Sequence, residues 1–148
     1  MTIEPAGLLL GVHVAAGAAA LTVGPLALMG WRRRWGVWRP ALAAGYQGTV
    51  AVLNTTALGL VALEPARLWW LAPFAIGTQA AVIGGWWLGG RDSGGVSPAR
   101  LRLMGGSYVS LITALLVVSW GSPLAWVLPS VVGGAVLETA ASRVGRSG

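Results

Sequence analysis

The chain has no cysteine and no lysine, a single histidine, a single phenylalanine and only four acidic residues among 148. Without cysteine there are no disulfides, thiolate metal sites or thiol catalysis. One histidine cannot supply both axial ligands of a haem within one chain, and no Cys-x-x-Cys-His sequence is present to attach one. No His/Glu pair sits at metal-ligand spacing. Neither cofactor nor metal is therefore expected. Charge is also scarce, at 9% of residues, where a soluble domain carries about a quarter.

What fills the chain is apolar: 55% of residues are hydrophobic and the mean hydropathy is +0.72. Five runs stand out, at residues 6–30, 40–63, 68–90, 104–120 and 124–141. Each is about 17 to 25 residues long, enough to cross a hydrocarbon core of ~30 Å at 1.5 Å per residue. The connections are too short to hold a second domain. The expected fold is all-α, one integral membrane bundle of five transmembrane helices over residues 1–148.

All ten basic residues are arginines. Arg32, Arg33, Arg34 and Arg39 fall between the first and second runs, Arg91, Arg100 and Arg102 between the third and fourth, and Arg143 and Arg146 after the fifth. Five spans place these clusters on one face, which the positive-inside rule makes cytoplasmic. Only Arg67 falls on the other. Merging residues 104–141 into one helix would leave Arg143 and Arg146 outside, and Gly121-Ser122-Pro123 breaks that stretch. The N-terminus is thus expected outside and the C-terminus inside. Glu4 precedes the first run and the positive charges follow it, so that run should act as an uncleaved anchor. Arginine without lysine, beside abundant Gly, Ala, Val and Trp, associates the chain with a GC-rich bacterial genome and the bacterial cytoplasmic membrane. The net charge of +6 sits just beyond helix ends, where it meets anionic lipid headgroups, and nucleic acid is not an expected partner.

Nine tryptophans raise the question of an aromatic cage, but none lies at mid-span. Trp31, Trp35, Trp38, Trp86 and Trp87 lie near inner helix ends, and Trp69, Trp70, Trp120 and Trp126 near outer ones. That is the aromatic belt of a membrane protein. The Trp31–Arg39 loop mixes cations with aromatics and should lie along the inner headgroups.

With loops this short, chemistry must reside in the helices, where polar side chains are costly and face the interior. His13, Gly17, Ala20 and Gly24 share one face of the first helix, which places His13 at a helix–helix contact. Tyr46, Thr49, Val50 and Asn54 form a face of the second. Gln79 is midway along the third, Ser107, Tyr108 and Thr113 lie on the fourth, and Glu138 is near the inner end of the fifth. Cross-helix hydrogen bonds of this kind also serve only to hold helices together, at about 0.6 kcal/mol each. Glu138 near Arg143 could equally be a surface ion pair. Gly105-Gly106-Ser107, after Arg100 and Arg102, offers a weak phosphate site if a helix starts there. Pro25 and Pro129 fall inside spans and are expected to kink them.

The stretch His13-Val-Ala-Ala-Gly-Ala-Ala-Ala-Leu-Thr-Val-Gly-Pro25-Leu-Ala-Leu resembles the first helix of a family of small bacterial multi-helix membrane proteins of unassigned function. Met104-Gly-Gly-Ser-Tyr-Val-Ser-Leu-Ile-Thr-Ala114 is similar to its fourth. Together they cover about a fifth of the chain. The resemblance implies a multi-helix membrane fold and marks His13, Ser107 and Tyr108. In the family pattern a histidine precedes the methionine by four residues, and this chain has Arg100 there.

The leading expectation is an intramembrane polar pocket for an apolar or lipid-like small molecule. Acid–base chemistry such as isomerisation or cyclisation would use His13 or Glu138 to move the proton, with Tyr108 completing the catalytic set. Asn54, Tyr46, Gln79, Ser107 and Thr113 would hold the substrate. Burial would favour the neutral forms of His13 and Glu138, the condition for proton transfer near neutral pH. Two other readings stand beside it. One is a transporter or channel subunit that forms a homo-oligomer around a polar path, and the other is a non-catalytic partner stabilising a larger membrane complex.

Overall fold

The computed structural model describes residues 5–32, 38–89, 97–120, 122 and 124–146, without the side chains of residues 29–32, 38 and 39. The headgroup loop of residues 31–39, apart from the helical backbone at its two edges, lies outside this description, as do Arg91, Gly121 and Pro123. Among the described residues the chain is helical, with no strand. Its elements are α1 (Pro5–Arg32), α2 (Trp38–Leu63), a single turn α3 (Pro65–Leu68) followed by a 3-10 turn (Trp69–Leu71), α4 (Ala72–Gly89), α5 (Pro98–Trp120) and α6 (Leu124–Arg146). Five of the helical stretches are long and apolar enough to cross a membrane: Pro5–Leu28, Pro40–Leu63, Pro65–Gly89, Pro98–Trp120 and Leu124–Arg146. This supports a multi-pass membrane protein.

The helices outrun the hydropathy at several ends, for local reasons. Hydropathy marks what must sit in hydrocarbon, whereas a helix continues until its backbone is capped. α5 starts six residues before the apolar run because Ser97 and Pro98 form a helix start. The Ser97 hydroxyl accepts from the Arg100 N–H at 3.3 Å, and Pro98 occupies the first position, where a missing N–H costs nothing. Arg100 and Arg102 are therefore helical residues and not loop residues. α6 likewise runs on to Arg146. The third span opens with Pro65 behind Glu64, whose carbonyl accepts from Arg67 N–H at 3.2 Å and Leu68 N–H at 3.0 Å. α1 and α6 pass through Pro25 and Pro129 without interruption.

The chain packs as two compact units, Met1–Ala80 and Ala81–Gly148. In the first, α1 and α2 form an antiparallel hairpin, with Leu9 against Gly59, Gly17 against Leu53 and Val23 against Gly45. A Cβ on Gly59 would stand 2.9 Å from Leu9 Cδ2, so the leucine side chain packs directly over the glycine. The buried residues on this seam are mostly small: Ala16, Ala20, Ala27 and Ala43, with Tyr46, Val50 and Leu53. The face of His13, Gly17, Ala20 and Gly24 is the one turned inward, as small-residue packing of membrane helices requires.

In the second unit α5 and α6 form another antiparallel hairpin. Gly105 receives Leu137, and a Cβ on Gly133 would lie 2.5 Å from Val109 Cγ2. The last turns of α4 run against the start of α5, with Gly85 under Met104 and Gly89 under Arg100. The outward surface is apolar: Val118 is 69% exposed, Leu124 72% and Trp120 70%. Such a surface is unfavourable against water and suits hydrocarbon and its interface. Trp69, Trp86 and Trp87 are also exposed near helix ends.

Candidate functional site

His13 lies on α1, half-buried against α2. Its Nδ1 is 3.1 Å from the carbonyl oxygen of Leu53 and 3.1 Å from the Thr56 hydroxyl. The hydroxyl also lies 2.8 Å from Val52 O and 2.9 Å from Leu53 O, and can donate to either. Thr56 is therefore anchored to its own helix while contributing an oxygen to the imidazole. His13 Nε2 makes no hydrogen bond among the described residues.

Asn54 of α2 is buried, and its Nδ2 donates to Gln79 Oε1 of α4 at 3.1 Å. Tyr46, two turns earlier on α2, is fully enclosed. Among the expected site residues, His13, Tyr46, Asn54 and Gln79 thus fall in the first unit. Thr56 completes the histidine's surroundings, and Thr78 adds a buried hydroxyl on α4.

The remaining expected residues fall in the second unit. Ser107 is buried and its hydroxyl donates to Met104 O at 2.7 Å. Thr113 is buried and donates to Val109 O at 2.9 Å. Both hydroxyls are thus engaged by their own helix. Tyr108 is partly exposed. Glu138 is paired with an arginine, Arg102 of α5. Arg102 Nε meets Oε2 at 3.0 Å and Nη2 meets Oε1 at 2.6 Å. The two side chains are 49% and 63% exposed. Both carboxylate oxygens of Glu138 are thus engaged by one guanidinium.

Arg100 is buried, with its guanidinium over Gly89 at the end of α4. A cation in that place is favoured by the helix dipole. α5 starts at Pro98 and not at Gly105, Arg102 is engaged by Glu138, and Gly105 is packed under Leu137. Among the described residues, no three His, Asp or Glu side chains gather where they could hold a metal.

Thr56 and Arg102 were accessible to a simple geometric argument. An antiparallel hairpin turned about residue 35 sets His13 opposite about residue 57, next to Thr56. A hairpin turned about residue 121 sets Arg102 opposite about residue 140, close to Glu138. The burial of Arg100 had no such signal, because it depends on where α4 ends.

The structure is that of a helical protein with five helices long and apolar enough to cross a membrane, and with one imidazole held at the seam between the first two. Comparison with protein-family models, curated proteins and solved structures finds no match to this chain.

Proposed function

We propose that this is a multi-pass protein of the bacterial cytoplasmic membrane, N-terminus outside and C-terminus inside, that holds an apolar or lipid-like small molecule at His13. The observation that carries this reading is the state of the imidazole: one ring nitrogen is fixed by Leu53 O and Thr56, and the other is unengaged. The bonds to α2 use only one edge of the ring. With one edge anchored, the ring is oriented, and the open edge is the group available to a bound molecule.

If the protein is catalytic, His13 is the residue that takes a proton from one position of the substrate and returns it at another, as in an isomerisation or cyclisation. Asn54, Gln79 and Tyr46 belong to the same unit and would shape the polar layer around the ligand. Glu138, engaged by Arg102, is better assigned to holding α5 against α6.

Native mass spectrometry of protein released from mild detergent tests this reading. An adduct of defined mass is expected on wild-type protein and is lost on His13→Ala in folded protein. Bare protein, or protein carrying only bulk phospholipid, would remove the pocket. One observation favours a second reading, a stabilising partner in a larger membrane complex. Gly7 and Gly11 of α1 are exposed and have nothing within 4 Å of where a Cβ would stand, a spacing that suits close helix approach.

The absence of cysteine makes topology easy to test. Arg67→Cys should react with a membrane-impermeant maleimide from outside intact cells, and Arg146→Cys only after permeabilisation. The reverse pattern would invert the orientation.

A further inference from the structure

The hydrogen bonds around His13 restrict what its open nitrogen can recognise. Leu53 contributes a carbonyl oxygen, which only accepts, and it stands 3.1 Å from Nδ1. Were Nδ1 unprotonated, two lone pairs would face each other at that distance. The Thr56 hydroxyl does not resolve this by donating to the ring, because it has carbonyl acceptors at 2.8 Å and 2.9 Å on its own helix. The consistent network has Nδ1–H donating to Leu53 O, with Thr56 Oγ1 as a second acceptor, and the hydroxyl proton directed to Val52 O. In the neutral ring Nε2 then carries a lone pair and no hydrogen.

We infer that His13 Nε2 is a hydrogen-bond acceptor site for the hydroxyl group of an apolar alcohol or phenol, and that it discriminates against carbonyl compounds of the same shape. A ligand that meets a bare lone pair must bring a donor, so ketones, esters and quinones have nothing to offer it. An ammonium group is a costly donor to bring into hydrocarbon, whereas a hydroxyl on an apolar chain is not. A metal would need further ligands, and no group of His, Asp and Glu gathers among the described residues. This inference rests on the pocket reading above and names the ligand class within it.

The single histidine makes the test direct, because ring-15N-labelled protein in lipid nanodiscs gives signals from one imidazole only. Wild-type protein at neutral pH should show a pyrrole-type Nδ1 and a pyridine-type Nε2. Adding a long-chain primary alcohol should move the Nε2 signal away from the pyridine type, and the matched methyl ketone should not move it. Thr56→Val, which keeps the Leu53 carbonyl, should leave the tautomer unchanged.

A ring protonated at Nε2, or one that switches tautomer in Thr56→Val, overturns the inference and leaves the pocket reading intact. An equal response to ketone and alcohol overturns the hydroxyl selectivity alone. A ring protonated at Nδ1 whose Nε2 responds to neither probe, in protein that carries no adduct, overturns the inference together with the reading on which it rests.

Discussion

Arg102 and Glu138 join α5 to α6 through both carboxylate oxygens, Nε to Oε2 at 3.0 Å and Nη2 to Oε1 at 2.6 Å. A bidentate pair fixes direction as well as distance. It therefore constrains how α5 and α6 align.

Each single charge removal, Arg102→Ala or Glu138→Ala, should lower the thermal midpoint in detergent. The exchanged pair Arg102→Glu with Glu138→Arg should recover part of the loss. Recovery separates a direct pair from two unrelated surface charges, and its absence would mean that each group acts through something else.

Neighbouring glycines on α6 should behave oppositely. Gly133→Ala drives a methyl into Val109 and should destabilise the protein by about 1–3 kcal/mol, the usual cost of overpacking. Gly134 has nothing within 4 Å of its missing Cβ, so Gly134→Ala should gain up to ~1 kcal/mol from helix propensity. Chemical denaturation of both variants in one detergent checks the sign of each. Equal effects would contradict the α5–α6 seam.

The Asn54–Gln79 bond should show strong non-additivity. Replacing either residue alone by Leu leaves a polar partner unsatisfied and should cost about 1–3 kcal/mol. The double replacement should cost less than the sum, because neither orphan remains. A strictly additive cycle would mean that the two amides do not meet.

At the end of α4, Gly89 has the Arg100 guanidinium where its Cβ would be. Gly89→Ala should expel that side chain and destabilise the protein. If steric conflict is the cause, Gly89→Ala combined with Arg100→Ala should be no worse than Arg100→Ala alone. Thermal midpoints of the three variants decide this.

Much of the fold could be read from the chain because lipid imposes a simple demand: a crossing helix must be long and apolar, and each of the five is. The inward face of α1 was legible for a related reason, since the His13, Gly17, Ala20 and Gly24 spacing leaves room for another backbone. Helix ends were less legible. Apolarity cannot reveal that Ser97 and Pro98 start α5 six residues early, because caps are made of polar contacts. At the site, His13 stood out as the single histidine on a small-residue face. Its partner Leu53 contributes only a backbone oxygen, and no side-chain pattern announces a carbonyl. Glu138 was visible as a charged residue, but the identity of its partner depended on α5 extending back to Arg102.

Each hairpin joins helices that are neighbours in the chain, and this bears on biogenesis. The ribosome completes α1 and then α2 before it reaches α5, so the contact between His13 and the Leu53 carbonyl can close while the C-terminal half is still untranslated. Proofreading of that half by cellular quality control would then act on a protein whose histidine is already seated.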